Sequence, residues 1–153
     1  MTATWFNSSE RIGRLQFKAA KWIGTPFFCN GNTPGPDGGV SCQKLVCEIY
    51  REVGFASREV PNVKMAHAQF SSRSLVEQFM GGLQDLFNPV SVSNVPAPGD
   101  LIALRIRRVS HHLGIVMPGG MFIHAMAHVG TILSSLDDPT YSGRLMAIWR
   151  PRP

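Results

Sequence analysis

The chain changes periodicity once, near its middle, and that change restricts the folds open to it. Before about residue 80 the apolar residues recur every three to four positions, and after Leu101 they form short extended runs divided by glycine and proline. Ile12, Leu15, Ala19 and Trp22 share one face of a segment from about Ser8 to Ile23, with Asn7 and Glu10 at capping-box spacing and Gly24 to stop it. Leu45, Val46, Ile49, Tyr50 and Val53 mark a second, core-facing helix over roughly 42 to 53, with Ser41 as its N-cap and Gly54 at its end. A polar helical segment around Arg73 to Met80, cut by Gly81-Gly82, leads to the strands. Strand signals follow at Leu101-Ile102-Ala103-Leu104, after Pro98-Gly99-Asp100, then on both sides of Pro118-Gly119-Gly120, at Thr131-Ile132-Leu133 and at Leu145 to Trp149. Asn30 to Gly39 and Asn88 to Pro98 read as loops. Helices first and a run of antiparallel strands after is an α+β pattern, not an alternating βαβ one.

Length and composition bound the reading. At 153 residues, 44% hydrophobic and 16% charged, the sequence suits one domain over residues 1–153 with its own core rather than a disordered chain. The net charge of +5 raises a nucleic-acid reading. No zinc-finger spacing, helix-turn-helix signal or RNA-binding aromatic motif accompanies it, and Arg105-Ile106-Arg107-Arg108 reads as a solvated strand end, so no nucleic-acid partner is expected. No run is long enough to span a membrane, and Met1 to Arg11 contains no apolar h-region, so the expectation is a protein made in the cytoplasm without a secretory signal.

The chemistry gathers at one cysteine and two histidines. Cys42 follows the glycine-rich loop Pro34 to Ser41 and lies on the inward stripe of its helix, one step inside the start, where unpaired N–H groups and the helix dipole favour a thiolate. His112 and His124 flank Pro118-Gly119-Gly120. With a three-residue loop Met117 pairs with Met121, His124 stands opposite Gly114, and the two histidines become diagonal neighbours on one face, about 7–8 Å apart at Cα. A two-residue loop sends them to opposite faces. A thiol of pKa about 8.5 is only slightly ionised at neutral pH, so a cysteine hydrolase needs a base and a third group to hold that base's tautomer. Cys42, His112 and His124 supply one of each. Three cysteines make no disulfide framework, and Cys47, about 140° around the helix from Cys42, and Cys29 in the loop read as structural. A zinc site built from His111, His112, His124 and His128 is disfavoured because adjacent His111 and His112 point to opposite faces of a strand, and no metal or cofactor is expected. His67 and His128 carry no further signal.

Gly24-Thr25-Pro26-Phe27, Gly39-Val40-Ser41-Cys42, Pro98-Gly99-Asp100-Leu101, His112-Leu113-Gly114-Ile115 and Phe122-Ile123-His124-Ala125, in this order, resemble the NlpC-type family of papain-like cell-wall cysteine peptidases. The resemblance runs from about Ala19 onward and implies a papain-like fold with N-terminal helices packed on an antiparallel sheet. It implies Cys42 as nucleophile, His112 as base and His124 as the orienting group, hydrolysing an amide of peptidoglycan stem peptides, such as the bond from D-glutamate to a diamino acid, through an acyl-thioester. Phe27, Ser41, Gln43, Lys44 and His111 are the residues expected around the substrate. Several of them depart from the family pattern: Ser41 replaces the usual aspartate, Gln43 and Lys44 replace small residues, and Phe27 stands where a tyrosine hydroxyl is common. Losing such a donor can cost about 2.7–4 kcal/mol in the transition state. The alternatives are a catalytically blunted binding or phage-tail assembly module, and an acyltransferase using the same thiol. Without a signal sequence, an enzyme of this kind reaches the wall by lysis, in a phage tail or through a secretion device, so those assemblies and an immunity protein are the partners to expect. A basic surface would attract anionic wall polymers.

Overall fold

In the computed structural model, which describes residues 2–29, 31–56, 84–106 and 109–153, Ser8 opens the first helix. Its backbone is extended (φ −141°), its side chain accepts the Arg11 N–H, and α1 runs Ser9–Ala20. The cap is therefore one residue beyond the Asn7 and Glu10 pair, because Ser8 itself takes the conformation and the hydrogen bond of an N-cap. Leu15, Ala19 and then Trp22 are buried, and Gly24 (φ 88°) turns the chain. A two-residue ladder joins β1 (Asn32–Thr33) to β2 (Gly39–Val40), so the first of the two expected loops contains a small hairpin. It delivers the chain to α2, Cys42–Glu52, whose apolar stripe is buried as the periodicity predicts, with Gly54 at φ 85° beyond its end.

A 3₁₀ turn at Gln84–Leu86 leads into β3 (Phe87–Val90). The strands β4 (Leu101–Ile106), β5 (Val109–Met117), β6 (Met121–Met126), β7 (Gly130–Ser135) and β8 (Leu145–Pro151) complete an antiparallel sheet in the order β3-β8-β4-β5-β6-β7. The α+β arrangement is the expected one. The loop expected from Asn88 is corrected: Asn88 to Val90 pair with β8, with Pro89 opposite Trp149. Proline and asparagine depress strand propensity, but β3 is an edge strand, where a missing N–H breaks no second ladder. The expected helix around Arg73 to Met80, the glycines Gly81-Gly82, and Arg107 and Arg108 lie outside the described residues.

Strand alternation divides the apolar residues between two faces. Leu101, Ala103, Leu113, Ile115, Met117, Ile123 and Ala125 pack with the helices, and α2 lies on β5 and β6. Ile102, Leu104, Val116, Phe122, Tyr141 and Ile148 form a second cluster on the opposite face. The Pro98-Gly99-Asp100 entry to β4 ties these layers together. Tyr50 on α2 donates to the Gly99 carbonyl at 2.8 Å, and the fully buried Asp100 accepts two bonds from Arg150 on β8, Nε to Oδ1 at 3.0 Å and Nη2 to Oδ2 at 2.7 Å. Among the described residues no helix is long and apolar enough to cross a membrane.

Candidate active site

Gly119 (φ 83°) and Gly120 (φ 72°) take backbone conformations open to few other residues, and the turn they make with Pro118 pairs Met117 with Met121. This is the three-residue register. Pairing of β5 with β6 runs from that turn to Ile115 and Ile123, and one step further Gly114 and His124 face each other. His112 and His124 are then diagonal neighbours, and His112 Nε2 lies 2.7 Å from His124 Nδ1. Only glycine fits between them: a Cβ on Gly114 would come within 2.9 Å of the Ile123 carbonyl oxygen and 3.0 Å of the Phe122 ring.

The same geometry continues one strand outward. Phe122 pairs with Ser134 and His124 with Ile132, so Ser134 is the next diagonal neighbour, and its Oγ lies 2.7 Å from His124 Nε2. The His124 ring is fully buried, packed against Phe122 at 4.4 Å and edge-on to Tyr141 at 5.3 Å between centroids. The sequence reading missed Ser134 and Tyr141. The signal for Ser134 was strand alternation from Gly130, and Tyr141 sits in an irregular turn with no periodicity to read.

Ser41 caps α2 by accepting the Lys44 N–H at 3.2 Å, which places Cys42 as the first helical residue. Burial pushes its thiol up to about 12, outweighing the backbone N–H groups of Leu113, the residue after His112 on β5, of Gln43 and of Cys42 itself, which act toward the thiolate. The helix start acts in the direction expected from sequence, toward the thiolate, and burial acts against it. Packing removes from water the group on which the helix dipole acts, which favours the neutral thiol.

The remaining predicted residues take different places. Phe27 is half-buried and forms a parallel bridge with Val40, two residues before Cys42. Gln43 is buried, and its Nε2 finds no hydrogen-bond partner among the described residues. Lys44 is half-buried, and its charge lowers the buried Cys47 thiol, on which burial acts more strongly in the upward direction. His111 lies on β5 beside His112, and its side chain is outside the described set. Cys29 is partly exposed, and its thiol, like the other two, is free. His128 is exposed in the β6–β7 turn at φ 66°. Among the described residues no three His, Cys, Asp or Glu side chains cluster as metal ligands.

Burial also holds His124 down to about 4, so its ring is neutral at pH 7. Because the folded value lies below the unfolded one of about 6.5, the linked stability is fully present above pH 6.5 and is lost as pH falls through 4. The expected loss is about 3 kcal/mol. Urea unfolding at pH 7 and at pH 4 measures it, and His124→Asn should flatten that acid limb while leaving other acid-linked groups in place.

Comparison with known proteins gives a consistent picture. A family model described as the NlpC/P60 family matches residues 24–150. The chain is similar to the murein DD-endopeptidase MepS/murein LD-carboxypeptidase of Escherichia coli strain K12, with 29% identity over 131 residues, 86% of this chain and 58% of that protein. It thus spans little more than half the length of this curated relative. Among solved structures, an NLP/P60-family protein similar to a lipoprotein, from Staphylococcus aureus, superposes with a TM-score of 0.63 at 21% identity, covering 100% of this chain and 45% of the other. The peptidoglycan hydrolase RipB from Mycobacterium tuberculosis superposes with a TM-score of 0.57 at 15% identity, covering 97% and 67%. Identities this low speak to the fold alone.

Proposed function

We propose, since this chain belongs to the NlpC/P60 family, that it is a cysteine hydrolase cutting an amide bond in peptidoglycan stem peptides through an acyl-thioester on Cys42. The observation that carries the reading is the buried His112–His124 hydrogen bond at 2.7 Å, on the strand whose Leu113 N–H acts on the Cys42 thiol toward the thiolate. A neutral resting thiol requires its proton to leave as the sulfur attacks, and His112 is the base on the adjoining strand position. As Sγ bonds to the amide carbon, the proton passes to His112 and the carbonyl oxygen takes the negative charge. The backbone N–H groups of Cys42 and Gln43 at the start of α2 are placed to share that charge. Collapse breaks the C–N bond, and His112 returns the proton to the leaving amine. Water then attacks the thioester with His112 as base, releasing the new carboxylate and restoring the thiol.

The substrate class rests on kinship. The relative's name places its bond in murein, at a DD linkage or an LD terminus, and the family resemblance adds the bond from D-glutamate to a diamino acid. Digestion of purified muropeptides in ¹⁸O-water, read by mass spectrometry, separates these cases. The expected product carries one ¹⁸O in a newly formed carboxyl group, whose position names the bond. Product joined to an amine or alcohol in place of water would make the protein an acyltransferase.

The high thiol pKa and the buried Gln43 beside it favour one second reading, a family member that binds stem peptides without cutting them. That reading predicts intact peptides and an unchanged affinity in Cys42→Ala.

A further inference from the structure

We propose that Cys29 and Cys42 join in a reversible disulfide when the protein meets a hydroperoxide, which takes the nucleophile out of use. The loss of turnover rests on the hydrolase reading, whereas the disulfide itself rests on the path of the chain. Val40 donates its N–H to the Pro26 carbonyl at 3.0 Å and accepts the Phe28 N–H at 3.1 Å, which makes Phe27 its parallel neighbour. On its other edge β2 pairs with β1, with Asn32 opposite Val40. The turn closed by the Gly31 N–H and the Phe28 carbonyl at 3.0 Å therefore crosses over the end of β2, where Ser41 leads into Cys42. Cys29 lies in that crossing. Counted along the parallel pair from Phe27 and Val40, Cys29 and Cys42 hold corresponding positions, each two residues on.

Close approach on both edges presses this loop onto β2. A Cβ on Gly39 would come within 2.7 Å of the Phe28 Cβ, and one on Gly31 would collide with the Gly39 carbonyl. Neighbouring strands lie about 4.8 Å apart and a disulfide joins Cα atoms about 4.4–6.8 Å apart, so corresponding positions on such a pair suit one bridge. The electrostatics agree, since charge on the Cys29 sulfur opposes ionisation of Cys42. Both thiols are free, Cys29 partly exposed and Cys42 buried, so peroxide meets Cys29 first. The Cys29 sulfur attacks the O–O bond of hydrogen peroxide, becomes a sulfenic acid and releases one water. The Cys42 sulfur then attacks the Cys29 sulfur, the S–O bond breaks, and hydroxide leaves with the Cys42 proton as a second water. Two electrons pass from the thiols to the peroxide, and a dithiol reductant returns them.

The test is tryptic mapping of the protein before and after hydrogen peroxide, with free thiols alkylated and no reductant, alongside turnover of a defined stem peptide. Cys29 and Cys42 share the peptide from Trp22 to Lys44, whereas Cys47 falls in the one from Leu45 to Arg51. Peroxide should leave the first peptide unalkylated and lighter by two hydrogens, with Cys47 alkylated. Turnover should fall in proportion to the bridged fraction, and dithiothreitol should reverse both changes. Cys29→Ser should match the wild type before treatment and keep its turnover under the same dose. Both cysteines still open to alkylation after peroxide would overturn the proposal, as would a link from either to the Cys47 peptide. Inactivation of Cys29→Ser as fast as the wild type would overturn it too. The mass readout does not depend on turnover: a reduced wild type that forms the bridge but cuts nothing defeats the hydrolase reading alone, whereas an active enzyme that forms no bridge defeats the disulfide alone.

Discussion

Arg150→Met is expected to destabilise the fold by about 3–5 kcal/mol, because it leaves the Asp100 carboxylate buried with no counter-charge. Asp100 is fully buried and Arg150 nearly so, and the pair joins the start of β4 to the end of β8 by two hydrogen bonds of 3.0 and 2.7 Å. The Ala97 N–H, 2.8 Å from Asp100 Oδ2, cannot replace a guanidinium. For a chain of this length the loss corresponds to a fall in Tm of roughly 6–20 °C. Removing both charges in Asp100→Leu/Arg150→Met should recover most of it, since two apolar side chains leave nothing unpaired. Arg14 and Glu10, 3.3 Å apart on the open face of α1, provide the contrast: their side chains are 48% and 81% exposed, and Arg14→Ala should leave stability within about 1 kcal/mol of wild type. Urea unfolding of the four proteins checks this, and a cost below 1 kcal/mol for Arg150→Met would show that the pair contributes little.

His112→Ala should lower kcat/KM by roughly 10²–10⁴-fold, the range general-base catalysis supplies. The fall should lie toward the upper end because the thiol is held up to about 12, so little thiolate forms unaided at neutral pH. Raising the assay pH should restore part of the lost rate in His112→Ala, as hydroxide takes over removal of the thiol proton. Initial rates against pH for the two proteins measure it. A His112→Ala protein as active as the wild type at pH 7 would remove the base from the account.

The residues that made the fold legible are those whose effect is local. Pro118-Gly119-Gly120 sets its own turn, and the turn sets the register that brings His112 and His124 together. Gly54 and the stripe from Leu45 to Val53 likewise define α2 without help from elsewhere. What escaped the sequence depends on distant contacts. Asp100 and Arg150 are 50 positions apart, and nothing in the spacing of either announces the other. Pro89 argues against a strand until β8 is known to lie on one side of it only. The burial of the thiol escaped for the same reason: the dipole of α2 is a local property, whereas the burial that acts against it comes from packing α2 against β5.

The most direct test of the central claim is mass spectrometry of one defined peptidoglycan stem peptide after incubation with the protein and with its Cys42→Ala form. The account predicts a single cleaved amide with the wild type, and an intact peptide that still binds with Cys42→Ala. Equal cleavage by both would contradict the role of the thiol, and an intact peptide in both would contradict the hydrolase itself.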